Sequence, residues 1–188
     1  MVALQVKTAV IFCGMPGSGK SIGLTVASSL GIPVIVMGDV IREEVALRKL
    51  QASPQSLGQI MIELRDQYGP AVVAERCIEK LQQVTSPHIV IDGARSEAEI
   101  SAFRRVIDQV KVVAVHASPK IRFARLQERG REDDALTEET FHERDVRELG
   151  IGIGRVIACA DLVLLNEGDP EELKAKTLQI LKDEFKLD

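Results

Sequence analysis

Short apolar runs separate longer stretches in which apolar residues recur every three or four positions. The runs at 8–13 (TAVIFC), 32–37 (IPVIVM), 88–91 (HIVI), 110–116 (VKVVAVH) and 161–165 (DLVLL) have strand length and are mostly β-branched. They are apolar on consecutive positions rather than alternate ones. Strands read this way when helices cover both faces of a parallel sheet. Helical spacing fills the gaps at 20–30, 40–50, 55–68, 70–84, 97–108, 119–129, 138–149 and 170–185. Start signals mark three of these helices: Pro54 ahead of Gln55, Pro119 after Ser118, and Pro170 after Asp169. The glycine-rich stretch 150–154 reads as a helix stop and connector. The alternation predicts a doubly wound α/β fold with a five-stranded parallel sheet flanked by helices. Between 39 and 87 there are about three helices and no strand, more than one crossover needs. That segment is predicted to be a helical subdomain inserted between two strands.

Composition narrows the function classes. The chain has 188 residues, one domain's worth, with 45% hydrophobic and 28% charged residues. A chain of this size buries roughly 70% of its unfolded surface, enough for a substantial core. Five Phe, one Tyr and no Trp argue against a single-strand nucleic-acid binder built on stacking. A net charge of −4 argues against a chain-wide phosphate-backbone footprint, so no nucleic-acid partner is expected. Cys13, Cys77 and Cys159 lack metal-ligand spacing and are odd in number, and read as buried thiols of a reducing, cytoplasmic compartment. The eighteen residues 21–38 carry no charge, but Gly31-Ile32-Pro33 splits them into two short elements, so no membrane span is expected.

The strongest chemical signal is Gly14-Met15-Pro16-Gly17-Ser18-Gly19-Lys20-Ser21, which fits G-x-x-x-x-G-K-[ST] at every fixed position. A predicted strand precedes it and a predicted helix follows, as a phosphate loop requires. Its glycines let consecutive N–H groups turn inward around an anion, and the following helix offers its positive end. Lys20 is suited to bridge the β- and γ-phosphates of ATP, and the Ser21 hydroxyl to ligate Mg²⁺. The P-loop NTPase fold is therefore expected, without the N-K-x-D motif of guanine readers.

Two further elements end predicted strands with a carboxylate and an arginine three residues later: Asp39 with Arg42, and Asp92 with Arg95. In open α/β sheets that edge is the ligand crevice. Asp92 suits the Walker-B role toward Mg²⁺, and Arg42 and Arg95 suit a second anionic group. Helix capping by the two aspartates and surface ion pairing by the two arginines are the structural alternatives. Lys120, Arg122, Arg125, Arg129 and Arg131 form a local +4 segment, Glu128 included, in a net acidic chain. A salt-bridged helix face explains part of it. The sharper reading is an arginine-bearing lid over transferring phosphates.

Together these features resemble the adenylate-kinase-like nucleoside monophosphate kinases, and more closely a P-loop branch described as adenylate-kinase-related or dephospho-CoA-kinase-like. The likeness runs from the phosphate loop to the final helix. Gly38, Asp39 and Arg42 match the family's G-D-x-x-R acceptor element. Asp92-Gly93-Ala94-Arg95 looks like its D-G-F-P-R element shortened by one residue. Glu99 stands where the family places an adenine-reading Gln. Arg125 and Arg129 match the arginines before the lid; Arg131, Asp133, Asp134, Glu139, Thr140 and Arg144 match the element after it. The resemblance implies one kinase domain over 1–188, with a core of 1–38 and 88–188, an acceptor-binding helical subdomain at about 39–87, and a short lid at about 125–137. It implies transfer of the ATP γ-phosphoryl to an AMP-like nucleoside monophosphate. Asp39, Arg42, Gly93, Arg95 and Glu99 would face the acceptor, and Lys20, Arg125, Arg129, Arg131 and Arg144 the transferring group. Phosphorylation of a hydroxyl, as in dephospho-CoA, and a nucleotide-dependent regulatory ATPase are the competing expectations.

Overall fold

The structure is a computed structural model that describes residues 4–130 and 137–187. Five strands form one parallel sheet in the order β2-β3-β1-β4-β5: β1 (Thr8–Cys13), β2 (Val34–Val36), β3 (His88–Asp92), β4 (Gln109–His116) and β5 (Leu162–Leu165). β1 is central, paired in register with β3 from Thr8↔His88 and with β4 from Thr8↔Gln109. Every residue of β1 is buried, because alternate side chains enter two separate cores. Ala9, Ile11 and Cys13 face the larger one. Val10 and Phe12 face the smaller one, which α1 (Ile22–Ser29) and α9 (Pro170–Phe185) complete through Val26, Leu173 and Leu181. This double burial accounts for the unbroken apolar runs of β1 and β3, whereas the run at 161–165 forms the edge strand β5, where Leu162, Val163 and Leu165 are exposed.

Three helices lie between β2 and β3 as expected: α2 (Met37–Leu47), α3 (Pro54–Tyr68) and α4 (Val72–Leu81). Their apolar stripes join the larger core through Val40, Val45, Ile60, Leu64, Cys77 and Leu81. The remaining helices are α5 (Glu97–Arg104), α6 (Pro119–Arg129), α7 (Glu138–Ile151) and α8 (Ile153–Ala158). The proline start signals hold, since Pro54, Pro119 and Pro170 each open a helix.

Three expectations change. α2 begins directly after β2, so Asp39, expected at the end of a strand, sits in the first turn of the helix. Gly152 does stop α7, in the left-handed conformation, but a further helix of six residues follows it where a plain connector was expected. Cys13 and Cys77 are buried, and burial pushes both thiols up to about 12, so they stay protonated. Cys159 departs from the expected burial: it caps the end of α8 and is exposed. No helix of the described residues is long and apolar enough to cross a membrane.

Candidate active site

The connection from β1 runs toward one edge of the sheet, to β2, and that from its neighbour β4 toward the other, to β5, so the crevice at the carboxyl end of β1 is the topological switch point. The glycine loop fills that crevice. Gly17 and Gly19 have φ of +79° and +92°, a region that disfavours side chains. A Cβ at Gly17 would lie 2.5 Å from the Arg122 carbonyl oxygen, and one at Gly19 would collide with the Asn166 amide. The loop is thus braced from outside. The Asn166 amide donates to the Ser18 carbonyl at 2.8 Å, and Arg122 donates to the Pro16 carbonyl at 3.0 Å. Ser21 precedes α1 without capping it, which leaves its hydroxyl unspent on the helix.

Beyond the loop opens a cavity of about 410 Å³. Gly14, Pro16, Gly17, Gly19, Lys20 and Ser21 form its floor. Gly38, Asp39 and Arg42 reach it from the start of α2, and Asp92, Gly93 and Arg95 from the end of β3. Arg125 and Arg129 enter from α6, and Arg144 and Glu148 from α7. One concave surface therefore gathers most of the residues singled out in sequence, with six cationic side chains and three carboxylates. Met15 and Ser18 belong to the loop without lining the cavity. Arg131, Asp133 and Asp134, and with them the middle of the expected lid at 131–136, lie outside the described residues.

The charges tune one another. Burial lowers the Lys20 ammonium from its ordinary range, with Asp92 acting against that shift. Burial raises the Asp92 carboxyl, and Lys20 and Arg95 pull it back. Asp92 Oδ1 is buried without a hydrogen-bond partner. A buried carboxylate oxygen left unanswered beside a phosphate loop fits a divalent cation, and with Ser21 it supplies oxygen ligands of the kind Mg²⁺ takes.

Four placements were not legible. Glu99 is fully buried and does not line the cavity, contrary to its expected place at the acceptor. It accepts from the backbone N–H of Arg95 at 2.7 Å, completes the Ser96 capping box of α5, and pairs with Arg65 at 2.5 Å. Those bonds occupy both carboxylate oxygens. Arg122 is likewise a support rather than part of a phosphate-facing lid: it is buried against Pro16 and ion-paired with Asp145. Glu148 is the third. It comes from α7 to pair with Arg95 Nε at 2.5 Å, and Arg95 holds its carboxyl below the ordinary value despite burial. Asn166 is the fourth: the segment 160–168 resembles the family's last strand and adenine-side loop without singling it out, yet it links the Ser18 carbonyl to Arg125, which donates to its carbonyl and side-chain oxygens at 3.1 and 3.2 Å. Position alone, just after the last apolar run, was its signal.

A parallel sheet of this order, with a phosphate loop at its switch point and basic groups arrayed above it, defines a P-loop NTPase of the kinase-like type. The AAA domain family matches residues 13–142. A UPF0200 protein of Hyperthermus butylicus is 44% identical over 172 residues, covering 92% of each chain. A UPF0200 protein of Methanothermobacter thermautotrophicus is 44% identical over 169 residues, 90% of this chain and 86% of that one. The chain belongs to the UPF0200 family, and its residues 13–142 match the AAA domain family. Among solved structures, TT1252 from Thermus thermophilus superposes with a TM-score of 0.63 at 20% identity, over 95% of this chain and 98% of that one. A shikimate kinase from Acinetobacter baumannii in complex with shikimate gives 0.60 at 13% identity, over 97% and 96%. At such identities the likeness is one of fold.

Proposed function

We propose that this protein is an ATP-dependent phosphotransferase that moves the γ-phosphoryl group to a nucleoside monophosphate. The observation that carries the reading is the convergence of Lys20, Asp92 and five arginines from separate elements on one cavity above the phosphate loop. Phosphoryl transfer asks little covalent chemistry of a protein, so positioned positive charge does most of the work. Lys20 and the loop N–H groups hold the donor phosphates. Arg42 and Arg95 orient the acceptor phosphate. Arg125, Arg129 and Arg144 offset charge that develops between them, with Arg131 as a further expected contributor. Ser21 and Asp92 would hold Mg²⁺, which would supply charge neutralisation on the donor phosphates. A phosphate oxygen of the acceptor is already anionic and needs no general base. Nothing about Glu99 bears on the base, so the AMP-like preference has lost its residue.

One observation favours a second reading. The Asp39 carboxylate lines the same cavity, which would let it take a proton from a hydroxyl acceptor. Assaying AMP, CMP, UMP, GMP and dephospho-CoA with ATP and Mg²⁺ separates the two. Turnover confined to the hydroxyl acceptor overturns the monophosphate reading. Steady ATP hydrolysis indifferent to every acceptor, and to Arg125→Ala and Arg144→Ala, indicates a regulatory ATPase instead.

A further inference from the structure

With Glu99 spent on the α5 cap, the acceptor's far end must meet other side chains. A second cavity of about 70 Å³ adjoins the first, and Gly38, Arg42, Arg95, Arg144 and Glu148 line both. It takes one end of a ligand rather than a whole nucleotide. Ile41 of α2 with Leu57 and Met61 of α3 give it an apolar wall, and Arg147 of α7 lines it beside Glu148.

Arg147 is held in a particular way. α3 carries a glycine at position 58, inside the helix, where glycine is a poor choice relative to alanine. The space it leaves is taken by the Arg147 guanidinium. A Cβ at Gly58 would lie 2.9 Å from Cζ and Nη1 and 3.0 Å from Nε. Three atoms of a planar group at nearly equal distance mean that its face lies flat on the helix. Arg147 Nε is buried without a hydrogen-bond partner. Among the described residues Arg147 has no ion pair, whereas Arg42, Arg65, Arg95 and Arg122 are matched by Asp39, Glu99, Glu148 and Asp145. A permanently charged group, oriented by packing and left unanswered beside an apolar wall, is arranged for a ligand.

We propose that Arg147 selects the phosphoryl acceptor by its base, and that the base is an oxo-purine or oxo-pyrimidine. The inference rests on the monophosphate reading above. A guanidinium offers donors only. It therefore matches a base edge made of acceptors, such as O6 and N7 of guanine or hypoxanthine, or O4 of uracil. Adenine and cytosine present an amino donor at the corresponding edge. Ile41, Leu57 and Met61 provide the surface against which the ring packs.

The test measures binding and turnover on the full chain with GMP, IMP, UMP, AMP and CMP. GMP, IMP and UMP are expected to bind at least about tenfold tighter than AMP and CMP. Arg147→Met raises the Kd for GMP at least about tenfold while changing that for AMP by less than threefold, which erases the preference. Gly58→Ala keeps the charge but pushes the guanidinium off the helix, since a flexible side-chain end is what the new methyl meets. It shifts the GMP-to-AMP ratio in the same direction and leaves the fold intact, because alanine favours the helix. Equal or tighter binding of AMP by the wild-type chain overturns the proposal. So does a ratio that moves threefold or less in both variants, with the monophosphate reading left standing. If no monophosphate binds while ATP does, both readings fall together.

Discussion

Asp92 and Glu148 line one cavity, and burial favours the proton on both, but their net shifts are opposite because Arg95 outweighs burial only at Glu148. Burial raises the Asp92 carboxyl, so the folded chain holds its proton more tightly than the unfolded one and loses stability as pH rises through the folded value. Asp92→Asn removes that cost. The variant is expected to unfold at higher urea than the wild type at pH 7, while phosphoryl transfer drops by about 10²–10³-fold. Lower stability in Asp92→Asn contradicts the assignment. Glu148 runs the other way, because Arg95 keeps its carboxyl low even where burial opposes it. Its contribution is complete above the ordinary value of 4.5 and disappears as pH falls through the lower folded value. Urea midpoints across pH 3–6 are expected to decline more gently in Glu148→Gln than in the wild type. Glu148→Ala is more severe: it strands the Arg95 charge and is expected to cost about 3 kcal/mol at neutral pH.

At the scale of elements, α5 shows how one residue can support two readings in sequence. Ser96 and Glu99 form the S-x-x-E pattern of a capping box, and that is how the structure uses them. The family likeness drew attention to a different role for Glu99. What sequence could not supply is Arg65, thirty-four positions away on α3, which makes the cap carboxylate a buried ion pair as well. Glu99→Ala therefore removes a cap and isolates a cation whose Nε already lacks a partner. A loss of about 3 kcal/mol in urea unfolding is expected, with ATP affinity of the folded fraction changed by less than about threefold. A selective loss of acceptor binding without a loss of stability would restore Glu99 to the site. The same limit explains the other surprises. Period and start signals revealed β1, α3, α6 and α9 because each is locally encoded. Arg95 with Glu148 and Arg122 with Asp145 are separated by fifty-three and twenty-three residues, and only the packing of α7 on the crevice brings them together. α8 has six residues between Gly152 and Cys159, too few for periodicity to declare.

The whole molecule turns a modest net charge of −4 into two very different surfaces. Positive groups gather in the cavity and acids dominate elsewhere, so the apo protein keeps like charges close together at some cost. Anionic ligand relieves that repulsion only when the phosphate loop holds it, which ties global stability to one lysine. ATP with Mg²⁺ at a hundred times its Kd is expected to add about 2.7 kcal/mol. For a chain of this size each kcal/mol raises Tm by about 2–4 °C, giving a rise of roughly 5–10 °C. Lys20→Met should abolish the rise. It should not lower the Tm of the apo protein, because Lys20 is a cation that burial already penalises. Differential scanning of both proteins with and without ATP reads all four states. A Lys20→Met protein that keeps the ATP-dependent rise would move donor binding away from the phosphate loop. A fall in its apo Tm alone would instead make Lys20 part of the scaffold that holds Asp92 and Glu148 in place.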